Sequence, residues 1–224
     1  TITAVLRKCA QKIAAGEKDK INVTPAMVKA MLGPEKVKPT FISRTDAVGI
    51  ANGLAWTSVG GEMLPIEVSI IPNGSGKVEI TGSLGDVMKE SAHLALTYAR
   101  VHAETYHIAP DKFKNTDIHI HAPEGAVPKD GPSAGVTLTT ALISALSEIP
   151  VRHDLAMTGE ITLHGNVLPI GGLKEKSMAA FREGISTVLI PEANKPDLYE
   201  VDEEVKKAVK FIPVSDLSQV LKHA

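Results

Sequence analysis

Residues 133 to 149, "SAGVTLTTALISALSEI", constrain the fold more than any other stretch. The run has helical length and is built mainly of small and apolar residues. A helix without a polar face is buried on most of its sides. The rest of the chain has to supply layers around it, and its flanks suggest how. Upstream, "GIANGLAWTSVGGEMLPIEVSIIPNGSGKVEIT" (49–81) alternates β-branched and apolar residues between glycine-rich turns, a strand pattern. Within it, "PNGSGK" between "IEVSII" and "VEIT" predicts a hairpin. A long helix follows in "DVMKESAHLALTYARVHAETY", capped by Ser83 or Asp86, with Val87, Ser91, Leu94, Tyr98 and Val101 on one side.

"DIHIHA" (117–122) reads as a short strand. Beyond the buried helix come strand "LAMTGEITLHGNVLPIG", helix "LKEKSMAAFREG", strand "STVLIP", helix "PDLYEVDEEVKKAV", strand "KFIPV" and a final short helix. Strands and helices mix without a strict βαβ repeat, which favours α+β over a doubly wound sheet. Residues 1 to 32 differ. They read as helices, the second capped by Thr24, started by Pro25 and stopped by Gly33. "GPEKVKP" (33–39) reads as a linker, so the expected division is a helical segment plus linker at 1–36 and a larger domain at 37–224.

Composition narrows the function. The 224 residues are 43% apolar, enough for one substantial core. Net charge is −2 with the signs interspersed, so no basic face points to nucleic acid or an anionic membrane. Cys9 is the single cysteine, which leaves no disulfide framework, no thiolate metal cage and no catalytic thiol, and fits a reducing compartment. No run of eighteen apolar residues and no charged-then-apolar leader occurs, so no membrane span or secretory signal is expected.

The chemistry centres on "GAVPKDGPSAG" (125–135). Ser133 stands between prolines and glycines just where the apolar run begins. The plain reading is a helix N-cap. The functional reading is a nucleophile, unshielded by Gly131, Pro132, Ala134 and Gly135 and facing the free N–H groups and positive dipole end of the helix, which suit an oxyanion. "GPSAG" also matches the Gly-x-Ser-x-Gly elbow of α/β-hydrolases. That elbow needs a strand running straight into the serine, whereas "PEGAVPKDGP" intervenes here.

A base has to activate the serine. His153, His164 and His223 lie downstream in contexts that single none of them out. His119 and His121 share a strand face, but two ligands without a third make no metal site. A buried, neutral lysine is the other option, and "GGLKEKSMAAFREG" offers Lys174 and Lys176. On a helical wheel Lys174 lies towards Leu173 and Phe181 and Lys176 beside Ala179 and Ala180, so the wheel does not choose between them.

Taken together, "PKDGPSAG", "HIHAPEGA", "MTGEITLHGNVLPIGGLKEK" and "GLAWTSVGGEMLPIEV" resemble the proteolytic domain of the Lon family of ATP-dependent serine proteases, in order and spacing and over nearly the whole chain. The resemblance implies a Lon-type fold of mixed sheets packed with helices, with Ser133 as nucleophile and Lys176, the second lysine of "GLKEK", as its partner. It implies supporting roles for Thr158, Asp130, His121 and Glu67. Residues 1–36 would be the end of the ATPase module's small helical subdomain. "GSGKV" lacks the first phosphate-loop glycine and has Val78 where serine or threonine belongs, so this stretch is expected to need no ATP, magnesium or other cofactor. The implied substrate is unfolded polypeptide, the implied assembly a six-membered ring, and the implied compartment the bacterial cytoplasm or an organelle matrix. The competing expectations are a histidine-dependent esterase and a non-catalytic adaptor in which Ser133 only caps a helix.

Overall fold

Residues 2–16, 20–33, 43–58 and 60–224 are described in the computed structural model, which divides into two units, Thr1–Pro39 and Thr40–Ala224. Residues 34–39 of the segment read as a linker, and the expected boundary at 36/37, lie outside the described residues. The first unit holds α1 (Ile2–Ala14) and α2 (Pro25–Leu32). Thr24 caps α2 by accepting from the Met27 amide at 3.3 Å, Pro25 occupies the first turn, and Gly33 ends the helix at φ 81°. The Lys8 amine donates to the Met31 carbonyl.

The second unit is built on one mixed sheet. β1 (Ile50–Thr57) and β2 (Gly60–Pro72) form an antiparallel hairpin with Ile50 opposite Glu67. β3 (Val78–Thr81) does not pair with β2, contrary to the hairpin expected from "PNGSGK". β4 (Thr116–His121) lies between them, antiparallel to β2 and parallel to β3. The reason lies in the loop: Asp117 Oδ1 accepts from the Ser75 and Lys77 amides at 2.8 and 2.9 Å, and Gly74 N donates to the Asn115 carbonyl at 2.9 Å. These bonds tie the turn to the start of β4 and hold β3 one strand away from β2.

Between β3 and β4 runs α3 (Asp86–Val101). Its buried side is Met88, Ser91, Ala92, Ala95, Leu96, Tyr98 and Ala99; of the expected stripe Ser91 and Tyr98 lie on it, whereas Val87 and Val101 are 41% and 71% exposed. Ala92, Ala95 and Ala99 of this side share one core with α4 (Gly135–Ser147), together with the larger Met88, Leu96 and Tyr98. Neither Ser83 nor Asp86 caps α3; its N-cap is Gly85, and the Met88 amide donates to Asp130 Oδ1 at 3.1 Å instead.

Every residue of α4 from Gly135 to Leu146 is buried, as its composition demands. Its polar side chains bond to backbone carbonyls: Thr139 to Gly135 and Thr140 to Val136, both at 2.8 Å. β5 (Leu155–Met157) follows. The stretch read as one strand then breaks into the small hairpin β6 (Glu160–Ile161) and β7 (Val167–Leu168). Next come α5 (Leu173–Arg182), β8 (Thr187–Pro191), a 3-10 segment Glu192–Glu200, α6 (Glu203–Ala208), β9 (Lys210–Val214) and α7 (Leu217–His223).

The sheet order is β3-β4-β2-β1-β5-β8-β9, with β1, β5, β8 and β9 parallel. Alternation along the strands fills two cores. Leu64, Ile66, Leu155, Met157 and Leu189 pack in the core with α3, α4 and α7, while Leu54, Met63, Ala156, Val188 and Ile190 pack in the one with α5 and α6. This mixed sheet between helical layers is the expected α+β arrangement. Among the described residues, no helix is long and apolar enough to cross a membrane.

One close approach fixes α5 against the sheet. A Cβ on Gly61 would stand 2.0 Å from the Glu175 carbonyl oxygen and 2.8 Å from the Lys176 amide. Gly61→Ala is therefore expected to lower stability by about 1–3 kcal/mol, read as a lower urea midpoint. An unchanged midpoint would mean that α5 does not lie this close.

Candidate active site

Ser133 sits in a single 3-10 turn, Pro132–Ala134, that runs directly into α4. Pro132 opens the turn, where a missing N–H costs nothing, and Gly131 precedes it at φ 122°. The turn is pinned from below: the Ser133 carbonyl accepts from Gly159 N at 2.8 Å, and Val136 N donates to the Gly159 carbonyl at 3.1 Å. Neither the turn nor α4 has a side-chain cap, and the N-cap of α4 is Ala134, so the capping reading of Ser133 fails. Its half-buried side chain instead lines a cavity of about 750 Å3.

Lys176 lines the same cavity, and the structure separates it from Lys174. Lys174 is exposed, whereas Lys176 in the first turn of α5 is 2% exposed. Its Nζ donates to Thr158 Oγ1 at 3.1 Å, and that hydroxyl lies 3.4 Å from the Ser133 carbonyl oxygen. Burial pulls the amine down to about 8 from its ordinary 10.5. Its place at the positive end of α5 disfavours the charged form in the same direction. Thr158 follows the end of β5 directly, so it stands where the start of α4 and the start of α5 meet.

Asp130 also lines the cavity, with Oδ1 accepting from Gly131 N at 2.9 Å and from Met88 N. It joins the serine loop to the start of α3. His121 and Glu67 are cross-strand partners on β4 and β2, and neither lines the cavity. His121 Nδ1 and His119 Nε2 instead converge on Thr81 Oγ1, at 2.7 and 2.9 Å. His153 pairs with Asp46 at 2.6 Å, and among the described residues no histidine lines the cavity. Among the described residues no group of three or more His, Cys, Asp or Glu could hold a metal ion. The elbow geometry is absent as well, since the loop after β4 separates that strand from Ser133.

Sequence reasoning missed further lining of the cavity: Trp56, Pro123, Glu124, Val127, Pro128 and Lys129. The prolines of "PEGAVPKDGP" are the available signal for it.

Residues 22–224 match the family described as the Lon protease (S16) C-terminal proteolytic domain. The chain is 54% identical over 220 residues to the Lon protease of Trichlorobacter lovleyi, covering 98% of this chain and 27% of that protein. It is 51% identical over 220 residues to that of Brevibacillus choshinensis (98% and 28%) and 48% over 223 residues to that of Clostridium acetobutylicum (100% and 28%). The chain thus spans 27–28% of the length of these curated relatives.

The buried amine has a consequence for stability. Below pH 8 both the folded and unfolded chains carry its proton, and the folded state bears the full cost of burying the charge. Between pH 8 and 10.5 the unfolded chain holds a proton that the folded one has lost, so stability rises with pH, and above 10.5 the cost is gone. That cost is roughly 3 kcal/mol. Lys176→Met should therefore be more stable than the parent at pH 7, with an advantage that shrinks towards pH 10.5, measured by paired urea unfolding. A constant difference across that range would contradict the burial.

Proposed function

The chain belongs to the Lon protease (S16) family as its C-terminal proteolytic domain, and on that premise we propose that it is a serine endopeptidase working through a Ser133/Lys176 dyad. Neutral Lys176 takes the proton from Ser133 Oγ as that oxygen attacks the scissile carbonyl carbon. The Ser133 and Ala134 amides, which precede the turn's first backbone bond from Gly135 N to the Pro132 carbonyl, stabilise the oxyanion. Collapse breaks the C–N bond, and Lys176 returns the proton to the leaving amine. A water then gives its proton to Lys176 and hydrolyses the acyl ester, restoring both groups. Thr158 orients the amine by accepting its hydrogen bond, and Asp130 holds the serine loop against α3.

One observation carries the reading: a lysine 2% exposed, lowered to about 8 and bonded to Thr158, lines the same cavity as Ser133. An ordinary lysine would be almost wholly charged at neutral pH and could not serve as a base. The histidine-dependent esterase has no histidine in the cavity, and an adaptor has no use for a costly buried amine. His121 and Glu67 act, on this reading, through the sheet beside the cleft and not on the reacting atoms.

The substrate we infer is unfolded polypeptide, delivered by an ATPase module outside this stretch, within a six-membered ring in the bacterial cytoplasm. "GSGKV" serves here as a turn tied to Asp117, with no phosphate-binding role.

With a fluorogenic peptide and no ATP, Ser133→Ala and Lys176→Ala should each lose about a thousandfold or more in kcat while remaining folded by circular dichroism. Lys174→Ala should stay within about twofold, as expected for a solvated surface charge. In the parent, kcat/KM should rise with an apparent pKa near 8. Equal turnover by all four proteins, or a rate governed by a histidine, would overturn the dyad.

A further inference from the structure

Four residues ahead of Ser133, the side chain of Lys129 turns back into the wall of the cleft. Its Nζ donates to the Glu124 carbonyl at 2.7 Å and to the Val127 carbonyl at 3.1 Å. These carbonyls are the first and last of a turn closed by Val127 N donating to Glu124 O at 3.0 Å. Glu124 sits at φ 64°, a left-handed conformation that a residue with a Cβ keeps only where its surroundings hold it. The ammonium therefore staples a turn that its own sequence does not favour.

The backbone of Lys129 is itself anchored. Its amide donates to Ser83 O at 3.0 Å, and its carbonyl accepts from Gly85 N at 2.7 Å, a bridge beside Leu84 at the start of α3. The turn is tied to this framework by the Ser83 hydroxyl, which donates to Gly125 O, and by the Lys129 ammonium. Glu124 and Val127 of this turn, with the flanking Pro123 and Pro128, line the same cleft as Ser133. Burial draws the Lys129 amine below its ordinary value, opposed by the nearby charges of Glu124 and Glu62. A freely solvated surface lysine would show neither the burial nor two converging carbonyls.

We propose that Lys129 is a positioning residue of the cleft: its ammonium holds the 124–127 turn as a preset wall along which an extended peptide lies while Ser133 is acylated. The proposal rests on the serine protease reading. A wall that floats has to be ordered by the substrate, and that entropy comes out of binding. A small electrophile that engages only Ser133 makes no use of the wall.

The test compares the parent with Lys129→Met and Lys129→Arg. Kinetics on an extended fluorogenic peptide are measured beside the rate of Ser133 labelling by a small fluorophosphonate and hydrogen exchange at the Val127 amide. Lys129→Met should raise KM about tenfold, the scale of one charge-assisted hydrogen bond lost, with a smaller loss in labelling rate and faster exchange at Val127. Lys129→Arg, which can reach both carbonyls, should restore KM and exchange. Parental KM and exchange in Lys129→Met would overturn the proposal, as would equal losses in peptide turnover and labelling. A parent whose Ser133 does not label would overturn the protease reading itself, an outcome visible without any Lys129 variant.

Discussion

The energetic centre of the molecule is an amine placed where water cannot solvate it. Burying Lys176 costs roughly 3 kcal/mol at neutral pH, a large fraction of the 5–15 kcal/mol by which ordinary domains are stable. The surroundings have to be rigid enough to impose that cost, and the structure supplies the rigidity from both sides. Gly61 lets β2 close on the backbone of α5 to a distance that no side chain would permit, and Ala179 and Ala180 bury the same helix in the second core. Thr158 then gives the amine its hydrogen bond without giving it a counter-charge. Desolvation, with the positive end of α5 acting in the same direction, shifts the amine towards its neutral form.

The position of the cleft follows from the layers. α4 belongs to the core on one face of the sheet and α5 to the core on the other. Groups carried by the two helices can meet only where the sheet between them ends. That place is the carboxyl end of β5, where Met157 gives way to Thr158 and Gly159, in keeping with the general position of sites beyond the carboxyl ends of parallel strands. Thr158 thus contacts both halves: its hydroxyl receives the lysine, and the neighbouring Gly159 amide holds the Ser133 carbonyl. Asp130 adds a third tie from the serine loop to α3.

Much of this was legible in the sequence because the signals were local. The apolar run of α4 could fold in few ways, and Thr24, Pro25 and Gly33 act within one helical turn of themselves. Ser133 stood out because prolines and glycines surrounded it. The misreadings share a physical cause, which is that a partner distant in sequence decides the outcome. The "PNGSGK" turn has the chemistry of a hairpin, but Asp117, some forty residues on, draws it across β4. The stripe on α3 rests on three- and four-residue spacing, which places Ser91 and Tyr98 inside but not the outward Val87 and Val101, because the face that meets α4 runs through Ala92, Ala95 and Ala99. The wheel could not separate Lys174 from Lys176 because the deciding neighbours, Gly61 and Thr158, lie on other elements. The resemblance named Lys176, and the burial supplies a physical reason for preferring it.

The most direct test of this account is to titrate the Lys176 amine itself, by NMR of 13Cε-labelled lysine in the folded Ser133→Ala protein, with Lys176→Met assigning the resonance. The account predicts one lysine titrating near pH 8, well separated from the rest. A Lys176 signal that titrates with the surface lysines near the reference of about 10.4 would contradict it, since fewer than about one such amine in a thousand is neutral at pH 7, against about one in ten for an amine near 8.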